Sequence, residues 1–176
     1  MTQKIIKLAG TIAIVLFLLL STFCELLDAI SYATSLSMLF CLVYDRWLGK
    51  YNPFENPPRI AGIYQADCCS NYNGEYRYSS RITIHQTLST ITVCEQLMHK
   101  QGYCESITAS LIPPIGAGKW RLYYTYVTRQ KAMPKDAMHE GTVILDIMDQ
   151  NTLSGTYFTN RTEQTAGDME LIRIPR

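Results

Sequence analysis

The sequence predicts an N-terminal two-helix transmembrane hairpin joined to an all-β domain: an antiparallel, up-and-down β-barrel of about eight strands, a minimal lipocalin-like build. Three observations carry this reading. Two apolar stretches, residues 5–23 and 29–48, stand almost back to back. A stretch with Asn52-Pro53 and Pro57-Pro58 follows, which reads as an extended linker over 51–59. Beyond it, short runs of alternating apolar and polar residues recur between turn residues, and no segment carries a helical stripe. The expected organisation is therefore hairpin 1–50, linker 51–59 and barrel domain 60–176.

The hairpin comes first. At 1.5 Å rise per residue, about 19 or 20 residues cover roughly 28–30 Å, the thickness of a bilayer core. The break between the stretches carries Glu25 and Asp28. Lys4 and Lys7 stand at the start of the first span, and Arg46, Lys50 and Arg59 stand at or beyond the end of the second. The positive-inside rule then puts both termini and the barrel on the cytoplasmic side. A cleaved signal peptide fits poorly: the apolar run is long, lacks an A-x-A site and is followed by a second one. Cys24 suggests a lipoprotein, but bulky Phe23 stands where a small residue is needed. Ser31, Thr34, Ser35 and Ser37 give the second span small hydroxyl residues of the kind that let helices approach closely in lipid.

Composition excludes several function classes. Net charge is +1 with no basic run in the soluble part, so DNA and RNA polymers, which need many neutralised phosphates, are disfavoured. A ligand with one or two phosphates needs only a couple of Arg or Lys. Of six cysteines, Cys24 and Cys41 fall at the membrane. Cys68, Cys69, Cys94 and Cys104 fall in a domain assigned to a reducing compartment, where free thiols are expected. Their spacing matches no zinc pattern.

Strands are expected at 61–67, 81–87, 90–96, 103–111, 120–128, 142–148, 153–160 and 169–174. Alternation assigns one face to Ile82, Ile84, Gln86 and Leu88 and another to Ile91 and Val93, with Ile107, Ala109 and Leu111 following. Trp120, Leu122, Tyr124 and Tyr126 come next, then Val143, Leu145 and Ile147, then Gly155, Tyr157, Thr159 and Arg161, with Met169 and Leu171 completing the set. Polar Gln86, Thr159 and Arg161 share this inner side with Tyr64, Tyr124, Tyr126 and Tyr157. Buried polar groups need partners, and a barrel mouth lined this way offers them to a ligand. The chain has 12 Tyr against 5 Phe, and an apolar ring with a hydroxyl suits a flat base with a polar edge. The candidate ligand-binding residues are thus Tyr64, Gln86, Tyr124, Tyr126, Tyr157, Thr159 and Arg161. Each has an ordinary structural alternative: core packing for the tyrosines, a solvated charge for Arg161.

No catalytic constellation emerges. His85, His99 and His139 lack motif partners, and His139-Glu140-Gly141 reads as a turn before a strand. The 115–120 segment, Ile-Gly-Ala-Gly-Lys-Trp, lacks the phosphate-loop spacing and has Trp where the magnesium-binding hydroxyl belongs. With no nucleophile, metal site or cofactor motif, an enzyme is not expected.

Gly62-Ile63-Tyr64, His139-Glu140-Gly141, the run from Leu153 through Ser154-Gly155-Thr156-Tyr157-Phe158-Thr159-Asn160-Arg161-Thr162, and Gly167-Asp168-Met169-Glu170-Leu171 carry a further signal. Together with the hairpin–linker–barrel order, these short motifs resemble the membrane effectors of cyclic-oligonucleotide-based antiphage signalling (CBASS) over essentially the whole chain. The resemblance implies a bacterial inner-membrane, multi-pass protein whose β-barrel binds a cyclic dinucleotide made by an associated nucleotidyltransferase. Ligand binding would drive homo-oligomerisation in the lipid bilayer, membrane disruption and abortive cell death. It implies Arg161 on a phosphate, the tyrosines on the bases, and Gln86 or Thr159 on base or ribose edges. Two other classes fit the same architecture: a membrane-anchored lipocalin-like carrier or sensor of an apolar molecule, with a dry lumen, and a membrane assembly factor that binds a protein at a sheet edge.

Overall fold

The computed structural model describes residues 2–48, 57–71, 76–97, 102–130, 139–160 and 164–175, with side chains excepted at 2–5, 97, 102, 129 and 130. Residues 51–56 of the expected linker lie outside the described residues. The chain divides into two compact units, one holding the N-terminal helices and the other built on Pro57–Gln86 and Thr90–Arg176.

The first unit is an α-helical hairpin, α1 (Thr2–Leu20) and α2 (Leu26–Val43), with α2 running on into a π-helical turn at Tyr44–Leu48. Helix α1 stops where two hydroxyls compete for its last carbonyls. Ser21 Oγ donates to the Leu18 carbonyl at 3.0 Å and Thr22 Oγ1 to that of Leu19 at 2.7 Å. Helix α2 buries Ala29, Ala33, Ser37 and Cys41, one residue per turn on one side. The small side chains permit close contact, and Ser37 Oγ reaches across the hairpin to the Ala9 carbonyl at 2.7 Å. The opposite surfaces are apolar and exposed, including Ile14, Leu18, Leu27, Met38 and Leu42. Leu26–Leu48 is long and apolar enough to cross a membrane, whereas the apolar part of α1, Ile6–Leu20, is shorter. The second apolar helix therefore begins earlier than residue 29 and takes in Asp28, whose charge suits the first turn of a helix.

The second unit is a closed barrel. Strands β1 (Gly62–Ser70), β2 (Tyr76–Gln86), β3 (Ile91–Leu97), β4 (Gly102–Ile112), β5 (Arg121–Gln130), β6 (Glu140–Ile147), β7 (Thr152–Thr159) and β8 (Ala166–Arg173) follow one another around it. Each pairs antiparallel with the next, and β8 returns to β1 with Ala66 opposite Leu171. Closure removes every sheet edge that an open eight-stranded meander would expose. Among the described residues, which omit Arg161, the inner side chains follow the predicted alternating set with two corrections, the first being Leu88, which falls in the turn between β2 and β3 and outside the core cluster. The second is Ile107, expected on the core face but 58 % exposed. A bulge in β4 pairs Ser106 with Tyr126 and Thr108 with Thr125, so Ile107 has no partner and the alternation shifts by one. The bulge also shortens the β3–β4 ladder, which runs only from Cys94–Glu105 to Gln96–Tyr103. Where it ends, Ser106 Oγ accepts a hydrogen bond from the Val93 amide at 2.9 Å.

The lumen has two unlike halves. Toward the Gly62, Gln86 and Arg173 ends of the strands it is packed with Ile82, Ile84, Leu122, Leu145, Leu153 and Leu171, all buried. Ile60, fully buried, plugs this end. Toward the Ser70, Thr128 and Thr159 ends, which form the rim, the inner side chains turn polar and aromatic.

Candidate functional site in the barrel lumen

The predicted ligand-binding residues separate between these two halves. Tyr64 and Gln86 stand at the plugged end and are fully engaged there. Gln86 Oε1 accepts from the Ile60 amide at 2.8 Å, and its Nε2 donates to the Pro58 carbonyl at 3.0 Å. The Tyr64 hydroxyl donates to the Ile60 carbonyl at 2.9 Å and accepts from an Arg173 guanidinium nitrogen at 2.7 Å. The same guanidinium lies over the Tyr64 ring, 5.2 Å from its centroid. These two side chains bind the Pro58–Ile60 segment to the barrel base. The structure does not bring them together with the other candidates.

Tyr124, Tyr126, Tyr157 and Thr159 are brought together in the rim half. The rings of Tyr124 and Tyr126, two residues apart on β5, lie 6.3 Å apart between centroids. His139 meets Tyr126 edge-on, also at 6.3 Å. Thr159 Oγ1 and Thr165 Oγ1 share a buried hydrogen bond of 2.7 Å. Arg161 lies outside the described residues.

Two glycines make room for these aromatic rings. Gly141 is the cross-strand partner of Tyr126, and a Cβ placed there would stand 2.5 Å from the phenol oxygen. Gly167 is the partner of Tyr157, and a Cβ there would collide with that ring and with the Cys69 carbonyl. Both tyrosines thus lie down over bare backbone instead of standing into the lumen. His139-Glu140-Gly141 and the segment from Gly167, singled out in the sequence as short motifs, have this physical role in part.

The structure adds residues that the sequence reading did not offer as ligand contacts: Cys68, Tyr78, Ser80, Glu95, Cys104 and Thr128. Thr128 Oγ1 stands 3.2 Å from both Cys104 Sγ and His139 Nε2. Glu95 is 6 % exposed and continues the inward face of Ile91 and Val93. Burial raises its carboxyl above the usual carboxylate range, and the Ser80 hydroxyl, close by but short of hydrogen-bond geometry with Oε1, opposes the shift. Burial likewise pushes the Cys68 thiol up to about 12, the nearby Glu95 adding to the shift. The Tyr78 and Tyr124 phenols are raised for the same first reason, again with Glu95 nearby. These groups therefore form one mutually sensed cluster in which burial favours the neutral forms. Glu95 Oε1, Ser80 Oγ and the Tyr124 hydroxyl have no hydrogen-bond partner among the described residues. Three such atoms in one buried place are costly unless a ligand or water completes them. Among the described residues, no group of three or more His, Cys, Asp or Glu is placed to hold a metal ion.

Two comparisons bear on this site. Residues 55–173 match the family model described as Cap15, cyclic dinucleotide receptor domain. Across 183 aligned residues the chain is 31 % identical to CD-NTase-associated protein 15 of Staphylococcus schleiferi, covering 98 % of this chain and 97 % of that one.

Proposed function

Because this chain belongs to the Cap15 family of CBASS effectors, a receptor family and not an enzyme family, we propose that its barrel binds a cyclic dinucleotide in the rim half of the lumen. The observation that carries this reading is the division of the lumen. One end is apolar and plugged; the other gathers Tyr124, Tyr126, Tyr157 and Thr159 around buried polar atoms without partners. Tyrosine rings stack on bases with little regard to sequence, and their hydroxyls reach base or ribose edges. Arg161, following β7 in the chain, supplies the charge for a phosphate. Tyr64 and Gln86 serve the ligand indirectly, by closing the opposite end. A dry lumen for an apolar cargo is the poorer account of a half-lumen whose inward side chains include a carboxyl, hydroxyls and thiols.

The hairpin, residues 1–50, is the output, joined by the linker at 51–59 to the barrel domain at 60–176. Both apolar helices sit in the bacterial inner membrane with termini and barrel cytoplasmic. The signal from an associated nucleotidyltransferase shifts the receptor toward an oligomer by its differential affinity for the two states. Confinement to the bilayer raises the effective concentration for that step. The clustered helices then disrupt the membrane, and the infected cell dies.

The test is thermal unfolding of the full chain in detergent with a panel of cyclic di- and trinucleotides. A ligand present at 100 times its Kd stabilises the native state by about 2.7 kcal/mol. A selective rise in melting temperature with one compound is expected; a flat response to all of them from a folded, monodisperse sample overturns the receptor reading.

A further inference from the structure

We propose that Glu95, with Ser80 and Tyr124 beside it, forms a base-reading subsite that hydrogen-bonds the edge of a nucleobase and keeps the ligand's phosphates out of the lumen. This rests on the receptor reading and specifies how the ligand is oriented within it. Glu95 lies opposite Ile82 on β2 and Cys104 on β4, deep in the rim half. Its Oε1, the Ser80 Oγ and the Tyr124 hydroxyl are buried and lack partners among the described residues. Among the same residues no Lys or Arg is buried, so none of them stands inside to neutralise a carboxylate or an incoming phosphate. Burial in such a place favours the protonated carboxyl. It then presents one acceptor beside one donor, the complement of a base edge that has a donor next to an acceptor. An anionic phosphate gains no charge-assisted bond from a buried Lys or Arg among those residues.

The groups facing Glu95 are Cys68 from β1, Tyr78 and Ser80 from β2, Cys104 from β4 and Tyr124 from β5. Cys68, Tyr78 and Tyr124 hold their protons well past neutrality, which leaves Glu95 as the carboxyl whose ionisation alters the subsite on raising the pH. Ionisation removes the donor and adds repulsion toward phosphate, so affinity falls as pH rises.

The experiment uses the full chain in detergent, titrated with cyclic di-AMP, cyclic di-GMP and cyclic UMP-AMP at pH 6 and pH 8.5. Glu95→Gln keeps the donor–acceptor pair in nearly the same shape; Glu95→Leu removes it while keeping the lumen apolar and folded. Expected for the tightest probe are wild-type binding that weakens at the higher pH, Glu95→Gln binding within about threefold of wild type at pH 6 and insensitive to pH, and Glu95→Leu binding weaker by about ten- to a hundredfold. Equal affinity of wild type and Glu95→Leu overturns the subsite and leaves the receptor reading standing. A loss in Glu95→Gln as large as in Glu95→Leu overturns the neutral edge, since it requires a carboxylate. Failure of all three probes to bind wild type overturns the receptor reading and the subsite with it.

Discussion

Glu95 makes the barrel less stable than it need be. Its carboxyl titrates higher in the folded protein than in the unfolded chain. Its contribution is therefore fully present below the ordinary carboxylate value and is lost as pH rises from there through the raised folded value. Replacing it with Leu deletes both the buried acid and its unmet hydrogen bond, a change of about 1–3 kcal/mol. Glu95→Leu is expected to raise the melting temperature of the ligand-free chain, by more at pH 8 than at pH 5. A lower melting temperature at both values would mean that the carboxyl is satisfied in the fold. Gly141 gives a second residue-level prediction. A methyl at this position meets the Tyr126 ring, so Gly141→Ala should destabilise the barrel by about 1–3 kcal/mol and weaken the ligand-induced thermal shift. In Gly141→Ala with Tyr126→Ala, the costs should add to less than their sum, because the second change removes what the first collides with. Strict additivity would separate the two residues.

At the scale of the strands, the β3–β4 seam is the place where the barrel wall is held by a side chain. The ladder covers three residue pairs, and the Val93 amide beyond it depends on Ser106 Oγ. Ser106→Ala leaves that amide without its acceptor. A loss of about 1 kcal/mol is expected, read as a fall of roughly 4 °C in a domain of this size, with faster hydrogen exchange at Val93. Unchanged exchange there would show that the ladder closes without Ser106. The bulge behind this arrangement was invisible in the sequence, because Ile107 fits the apolar alternation as well as its neighbours do. All eight strands were legible, but several ended too early or began too late for one reason. Alternation reveals a strand only while its inner residues are apolar. Strand β2 starts at Tyr76 and not 81, β1 runs past 67 to Ser70, and β8 starts at Ala166 and not 169. In β1 and β2 those added turns of the pleat carry Cys68, Ser70, Tyr78 and Ser80 inward, so the polar half of the lumen was hidden by its own polarity. Glu95, Cys104 and Thr128 lay within expected strands, Glu95 two residues beyond Val93 and Thr128 two beyond Tyr126 in the alternation. Tyr124, Tyr126, Tyr157 and Thr159 were legible because apolar neighbours on the same face kept the period visible.

For the whole molecule, the proposed function requires that ligand binding and membrane action be separable, since different parts of the chain carry them. The hairpin is held by small residues on one side of α2, with Ala33 at 1 % exposure and Ser37 bonded to the Ala9 carbonyl. Close contact of this kind depends on the absence of side-chain bulk, because lipid tails are as apolar as the helices and supply no hydrophobic drive between them. Ala33→Leu therefore forces α1 and α2 apart while leaving every residue of the barrel unchanged. The expected outcome is a full-length protein that keeps the thermal shift with its cyclic dinucleotide yet no longer releases dye from vesicles of bacterial lipid. Substituting Tyr157→Ala should do the reverse, removing the thermal shift and, as a consequence, the dye release. If Ala33→Leu instead abolished the thermal shift along with leakage, sensing would depend on the hairpin itself. If it abolished neither, then the packing of α1 on α2 would not be the element that disrupts the membrane, and the exposed apolar faces of the two helices would have to do so alone.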